Sequence, residues 1–272
     1  MIDETNALPI INAPPQDWQT LVTSIMGIYH LNHQIVADVA KQPPCVFLDM
    51  DLYKRIFKLP YLQPDIYKNK WIESPGQFHI VLCALRCLGK TIEGSGLDDC
   101  WVEAELYSDA VVNQIIDGRH YNRAIKCYQI TLQVLSDLWW DKFFAEHPDV
   151  YENLKDSLQN LSNACKSQTE VSKSQEILRI KMTEVNLNNL ILEFDKKYEQ
   201  YPMYKWTRMC MRQITNLQLY LSSIRQRNWP VNLAALEELC IWIHAYNRLD
   251  YAIHLPEYIA RMYELKHTHP KV

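Results

Sequence analysis

The fold is decided by the stretch CVFLDM, residues 45–50, a short apolar run that follows two prolines and ends in acids. Such a run predicts a strand that is buried on both faces, as in a parallel sheet. A second, weaker strand is predicted at KWIES, residues 70–74, and a short helix is expected between them, at about 51–58. The order strand, helix, strand, helix predicts a βαβα fragment of a parallel sheet.

Helices are predicted for most of the remaining chain. Only 6 glycines occur among 272 residues, which disfavours a fold with many tight β-turns. Apolar residues recur at helical spacing from Trp18 to about Val39, and again after the Pro75-Gly76 turn. Further helices are expected near 98–106, 108–117, 119–146, 149–167, 172–200, 203–227, 231–247 and 248–265. The predicted fold class is mostly α, with a small α/β fragment of two short strands followed by a large helical bundle.

The predicted division is into residues 1–107, an N-terminal helix with the α/β segment, and residues 108–272, a helical domain packed with the first part as one unit. Two strands do not form an independently stable sheet. We therefore expect helices from both ends of the chain to cover the strands, or a segment of another protein to complete the sheet.

Composition restricts the compartment and the partners. The formal charge is −4, so no global basic field attracts nucleic acid, and no apolar run approaches the ~20 residues of a membrane span. The acidic start MIDETNALPI lacks a signal core. Eight cysteines occur without a Cys-x-x-Cys pair, which indicates thiols in a reducing compartment. We expect an intracellular protein, nuclear or cytoplasmic, without disulfides and without a membrane partner.

Acidic residues and one histidine are the candidate catalytic groups. Asp49 ends the first predicted strand, where α/β folds place ligand sites. His79 lies just inside the helix that follows Pro75-Gly76, and Glu93 or Glu103 could supply a further carboxylate. Converging carboxylates bind Mg²⁺ for phosphoryl transfer, and Asp49 is the predicted metal ligand. The alternative is that these acids hydrogen-bond to the backbone at helix ends.

Two basic groups are candidate nucleic-acid contacts. Arg119, Arg123 and Lys126 are predicted to share one helical face, and Arg208 and Arg212 lie on a later helix among aromatic residues. Basic and aromatic side chains together are typical of nucleic-acid surfaces, so DNA is a predicted partner. A solvated or salt-bridged face is the alternative.

The order of several motifs resembles that of a large group of uncharacterised metazoan proteins. The motifs are INAPPQDWQTL, VFLDMDLY, PGQFHIVLCALRCLGKTIEGSGLDDCW, DGRHYNRAIKCYQITLQVL and HAYNRLDYAIHLPEYIARM, and the likeness spans roughly residues 8–265. Fungal domains with Asp-Gln followed by Gly-x-Phe-His look like distant relatives. These proteins look transposon-derived, and the resemblance implies the same origin for this chain.

A further resemblance is to the C-terminal half of a ribonuclease-H-like transposase. In that order, Asp49 matches the acid that ends an inner strand, His79 a following histidine motif, and Glu93 or Glu103 the final glutamate. The chain departs from the pattern, since the strands that carry the first acid are missing and DMD stands where relatives have Asp-Gln. We therefore expect a transposon-derived domain that is not catalytic as an isolated chain. The alternative is a non-catalytic helical scaffold for protein interaction.

Overall fold

The computed structural model describes residue 14 and residues 17–36 and 43–268. The described residues form two compact units, the first drawn from the ranges 1–102, 107–121 and 216–272 and the second from 103–106 and 122–215. The predicted fold class is confirmed, because helices dominate and the described strands form a single two-stranded parallel sheet. The predicted division lies at residue 107, whereas the first compact unit groups residues from the range 216–272 with the α/β segment.

The elements follow one another in this order: α1 Trp18–Val36, β1 Cys45–Leu48, α2 Met50–Ile56, α3 Leu59–Leu62, α4 Pro64–Tyr67, β2 Ile72–Pro75, α5 Gln77–Ile92, α6 Leu97–Glu103, α7 Asp109–Ile116, α8 Tyr121–Glu146, α9 Pro148–Ser167, α10 Val171–Glu184, α11 Leu187–Tyr198, α12 Pro202–Gln226, α13 Trp229–Ala245, α14 Leu249–Tyr263 and α15 Leu265–Thr268. The predicted strands are present with shifted ends, because β1 stops before Asp49 and β2 continues to Pro75. The part of the predicted first helix beyond Val36 lies outside the described residues.

The sheet is short, and its register is regular. β1 pairs with β2 in parallel, with Cys45 opposite Ile72 and Leu48 opposite Pro75. Every residue of β2 is buried, whereas β1 alternates between exposed and buried positions. One strand is therefore enclosed by the first unit, and the other is only partly covered.

Apolar side chains from α1 and from the α/β segment form a core in the first unit. Leu21 and Ile25 of α1 pack with Val46 of β1, Ile56 of α2 and Trp71 before β2. The apolar stripe of α1 that the sequence predicts is thus the face that covers this segment.

A close helix contact also belongs to the first unit. At Gly89 of α5, an added Cβ would lie 1.9 Å from the carbonyl oxygen of Ile116, at the end of α7. Only a residue without a side chain permits this approach, which explains a glycine inside a helix despite its low helix propensity.

The second unit is an aromatic helical core. Trp139 and Phe143 of α8 stack with ring centroids 5.3 Å apart, and both pack edge-on against Phe194 of α11. The prediction of one helix over 172–200 was wrong, because α10 ends at Glu184 and α11 begins at Leu187. Asn186 between them has a φ of 52°, a left-handed conformation that ends a helix and that asparagine tolerates.

The cysteines and the helix lengths bear on two of the predictions. All eight cysteines are free thiols, as expected. Within the described ranges, each helix is too short or too polar to cross a lipid bilayer.

Candidate functional site

Asp49 lies at the predicted position after β1, and its carboxylate has a structural partner. Oδ1 accepts a hydrogen bond from the backbone N–H of Leu52 at 2.9 Å, which makes Asp49 the N-cap of α2. Asp51, in the first turn of α2, pairs with Lys54 at 2.8 Å. The carboxylate of Asp49 remains exposed to solvent. The observed hydrogen bond agrees with the alternative interpretation, in which Asp49 caps a helix. A metal-binding role of Asp49 stays a prediction.

His79 lies at the same end of the sheet as Asp49. An added Cβ on Gly76 would meet the carbonyl oxygen of Leu48 at 3.1 Å and the His79 ring at 3.2 Å, so that the strand end and the imidazole flank this glycine. The side chain of His79 is exposed in the first turn of α5. The pKa of Tyr251 on α14 is raised to about 12, mainly by burial, and the negative charge of Asp49 is a smaller contribution in the same direction.

Glu93 is too far from His79 to share a site with it. The two residues stand at opposite ends of α5, and 14 helical residues span roughly 20 Å. The carboxylate of Glu93 pairs instead with Lys90 of the same helix, at 2.6 Å. The predicted cluster of Asp49, His79 and Glu93 is therefore not formed, because the length of α5 separates its members.

Glu103 ends α6 and is exposed, and the division of the chain places it in the second unit. Across residues 14, 17–36 and 43–268, no group of three or more His, Cys, Asp or Glu side chains is arranged to hold a metal ion. The assignments of Glu103 as a final glutamate and of Mg²⁺ as a cofactor stay predictions.

The first basic group is only partly on a helix. α8 begins at Tyr121, because His120 has a φ of 55°, so Arg119 precedes the helix that was predicted to include it. Arg123 and Lys126 lie one turn apart on α8 and are exposed. The predicted helical face is thus reduced to two residues, and its contact with DNA stays a prediction.

Arg208 of the second basic group is held by side chains of its own unit. Its guanidinium donates to Oδ2 of Asp195 at 2.7 Å and lies 4.7 Å from the ring centroid of Trp139. Arg212, one turn further along α12, is exposed. The salt-bridged alternative therefore describes Arg208, and a contact of Arg212 with DNA stays a prediction.

The two edges of the sheet differ in their backbone groups. Ile72 N–H donates to the carbonyl of Pro44 at 2.9 Å, and Gly76 N–H donates to that of Leu48 at 2.5 Å. In a parallel ladder alternate residues bond to the same neighbour, so Val46 and Leu48 bond to β2. The N–H and C=O groups of Cys45 and Phe47 consequently point toward the opposite edge of β1.

Phe47 is one of the two exposed residues of β1. Its side chain is 60% exposed, whereas all four residues of β2 are buried. By the same alternation, the outer edge of β2 contains Pro75, which has no N–H to offer a further strand. Among the described residues, the edge of β1 is therefore the one that can accept another strand, and Phe47 provides an apolar contact beside it.

A buried ion pair of the first unit was not predicted from the sequence. Glu73 of β2 is 2% exposed, and its Oε1 contacts Nη1 of Arg261 on α14. Burial raises the pKa of the Glu73 carboxyl, and the positive charge of Arg261 opposes that rise. The available signal was a glutamate inside the predicted buried strand KWIES, because a charged residue at such a position needs a partner.

Comparison with known proteins gives a family without an assigned activity. No curated protein and no solved structure matches the chain. A family model matches residues 2–272, which is nearly the whole sequence. The chain therefore belongs to the family described as Domain of unknown function (DUF8702).

Proposed function

We propose that this chain is a non-catalytic protein-interaction module that binds an extended segment of another protein along the edge of β1. The observation that carries the proposal is that the backbone N–H and C=O groups of Cys45 and Phe47 point away from β2, and that Phe47 is 60% exposed. Main-chain hydrogen bonds to an open edge supply affinity in strand addition, and contacts of alternate side chains supply specificity. Open edges of this kind are normally covered or blocked, as β2 is by Pro75.

The contacts of the predicted catalytic residues support a non-catalytic role. The carboxylate of Asp49 caps α2, and Glu93 pairs with Lys90 at the far end of α5 from His79. The resemblance to half of a ribonuclease-H-like transposase fits the same proposal, because such a half sheet lacks the strands that would lie beside it. A transposon-derived origin is part of this proposal and rests on the resemblance alone.

The experiment uses a display library of random octapeptides selected on the full chain, followed by affinity measurements with the selected peptides. Phe47→Pro removes the outward N–H without removing a hydrogen bond to β2, since proline is tolerated at a sheet edge. Phe47→Val is the matched control, because it keeps that N–H and removes only the aromatic ring. We expect Phe47→Pro to abolish binding and Phe47→Val to weaken it.

Thermal denaturation of both variants accompanies the affinity measurements. A selection that yields no peptide, or peptides that bind Phe47→Pro as well as the unmodified chain, would contradict strand addition at β1. Unfolding of Phe47→Pro would contradict the assignment of this N–H to the open edge.

A further inference from the structure

Helix α10 of the second unit exposes apolar side chains to solvent. None of its 14 described residues is buried. Leu178 and Met182 pack at the margin of the aromatic core, whereas Ile177 and Ile180 are 46% and 48% exposed. A helix of this length is marginal in water unless an apolar face packs against another element. The two isoleucines leave nearly half of their surface available for such packing.

Four residues form a stripe along this exposed side of α10. Lys173, Ile177, Ile180 and Glu184 follow one another at intervals of four, three and four residues, and all four are exposed. This alternation is the spacing of the core positions of a coiled coil, which places the four side chains on one face of the helix. The α10 stripe therefore has an apolar centre, a positive end and a negative end.

The order of the charges makes the α10 stripe complementary to itself. The midpoint between Ile177 and Ile180 is also the midpoint between Lys173 and Glu184. In an antiparallel pair of α10 helices related by a two-fold axis at this midpoint, Ile177 of one copy lies opposite Ile180 of the other, and each Lys173 lies opposite a Glu184. In a parallel pair, each charge would face its own copy, which is repulsive. The charges therefore favour an antiparallel second copy.

The surroundings of the stripe are compatible with such pairing. Lys173 lies 3.8 Å from Glu170, and both side chains are 71% exposed, so this ion pair is weak and Lys173 can change its partner. A groove between α9 and α10 reaches the stripe at Lys173 and Ile177, and Asn160 and Asn163 of α9 also line it. These amides can donate and accept hydrogen bonds at the rim of an interface, which is typically polar.

We propose that a second copy of this chain docks antiparallel along the α10 stripe and forms a reversible homodimer with two-fold symmetry. The 14 residues of α10 span about 20 Å, so the contact is smaller than that of a permanent dimer. The interface is separate from β1, and the proposed strand addition does not use it.

Sedimentation equilibrium of the full chain at about 5–500 µM measures this association, with an expected dissociation constant on the order of 100 µM. Ile177→Asp places a charge at the apolar centre and should abolish association. Circular dichroism of this variant shows whether the helices are retained.

Charge reversals test the antiparallel arrangement. Lys173→Glu and Glu184→Lys each create two facing pairs of like charge, so each variant should associate about tenfold more weakly. The double variant restores both opposite-charge pairs and should associate like the unmodified chain. Lys166→Glu, the same charge change at an exposed position of α9 outside the stripe, is the matched control and should leave association unchanged.

Three results would overturn the proposal. They are a monomer across the whole concentration range, equal association of Lys173→Glu and the unmodified chain, and a double variant that associates no more tightly than the single variants. Loss of association in Phe47→Pro would also overturn it, because the contact between copies would then lie at β1. If Ile177→Asp does not fold, the charge reversals still decide the proposal, and none of these results depends on peptide binding.

Discussion

Substitution of Asp49 separates helix capping from catalysis. The carboxylate accepts a hydrogen bond from the N–H of Leu52 at 2.9 Å, and α2 is a seven-residue helix whose own side chains Met50, Tyr53 and Ile56 are buried. Asp49→Ala removes the acceptor and leaves this N–H to water. Asp49→Asn keeps an oxygen in the same place and removes only the charge.

The expected changes in stability follow from capping energetics. Loss of an N-cap acceptor costs about 1 kcal/mol, and asparagine is as good an N-cap as aspartate. Asp49→Ala should therefore lower the free energy of unfolding by about 1 kcal/mol, or Tm by roughly 2–4 °C. Asp49→Asn should lose only a few tenths of that, from the weaker interaction with the helix dipole.

Thermal denaturation and a DNA cleavage assay with Mg²⁺ or Mn²⁺ check both sides of this prediction. If Asp49 only caps α2, the unmodified chain and Asp49→Asn should have similar stability and Asp49→Ala the lowest. None of the three proteins should then cleave DNA in a metal-dependent way. Cleavage by the unmodified chain that Asp49→Asn abolishes would refute the reasoning, since a metal ligand needs the carboxylate charge that a cap does not.

Other substitutions test the packing, the ion pairs and one titrating group. Gly89→Ala should lower the free energy of unfolding by about 1–3 kcal/mol, because the new Cβ would lie 1.9 Å from the Ile116 carbonyl oxygen. Gly27→Ala is the control: the new Cβ would have open space, so the free energy of unfolding should rise by up to about 1 kcal/mol. Equal urea midpoints for these two would contradict the contact. Arg208→Ala should lower stability by about 1 kcal/mol and leave salt-dependent DNA retention unchanged, and a loss of retention alone would restore its role as a DNA contact. Burial lowers the pKa of His254, so its NMR titration midpoint should lie below about 6.5, and the free energy of unfolding should fall as pH drops from that value through the folded pKa. A midpoint at or above that value would contradict the burial.

Much of the fold is local in origin and therefore predictable. The apolar run 45–50 and the Pro75-Gly76 turn locate both strands and the start of α5. The exact ends of these elements depend on individual hydrogen bonds. The bond from Leu52 N–H to Asp49, for example, starts α2 at Met50, although the apolar run 45–50 predicted that the strand would continue to this residue. The break at Asn186 was missed because helical periodicity continues across it and only its left-handed backbone marks the end.

The site was less predictable, because it depends on long-range contacts and on distances along helices. Glu73 and Arg261 are far apart in sequence, and no local pattern connects them. Asp49, His79 and Glu93 match a motif order, yet the length of α5 holds two of them roughly 20 Å apart. The order of residues in a motif therefore does not give the distance between them when a helix lies in between.

Amide hydrogen exchange along β1 is the most direct test of the proposed interaction edge. The N–H groups of Val46 and Leu48 bond to β2, whereas that of Phe47 points toward the open edge. In the free protein we expect protection at Val46 and Leu48 and fast exchange at Phe47, which becomes protected when a selected peptide binds. Protection of the Phe47 amide in the free protein, or unchanged exchange there with the peptide bound, would contradict the account.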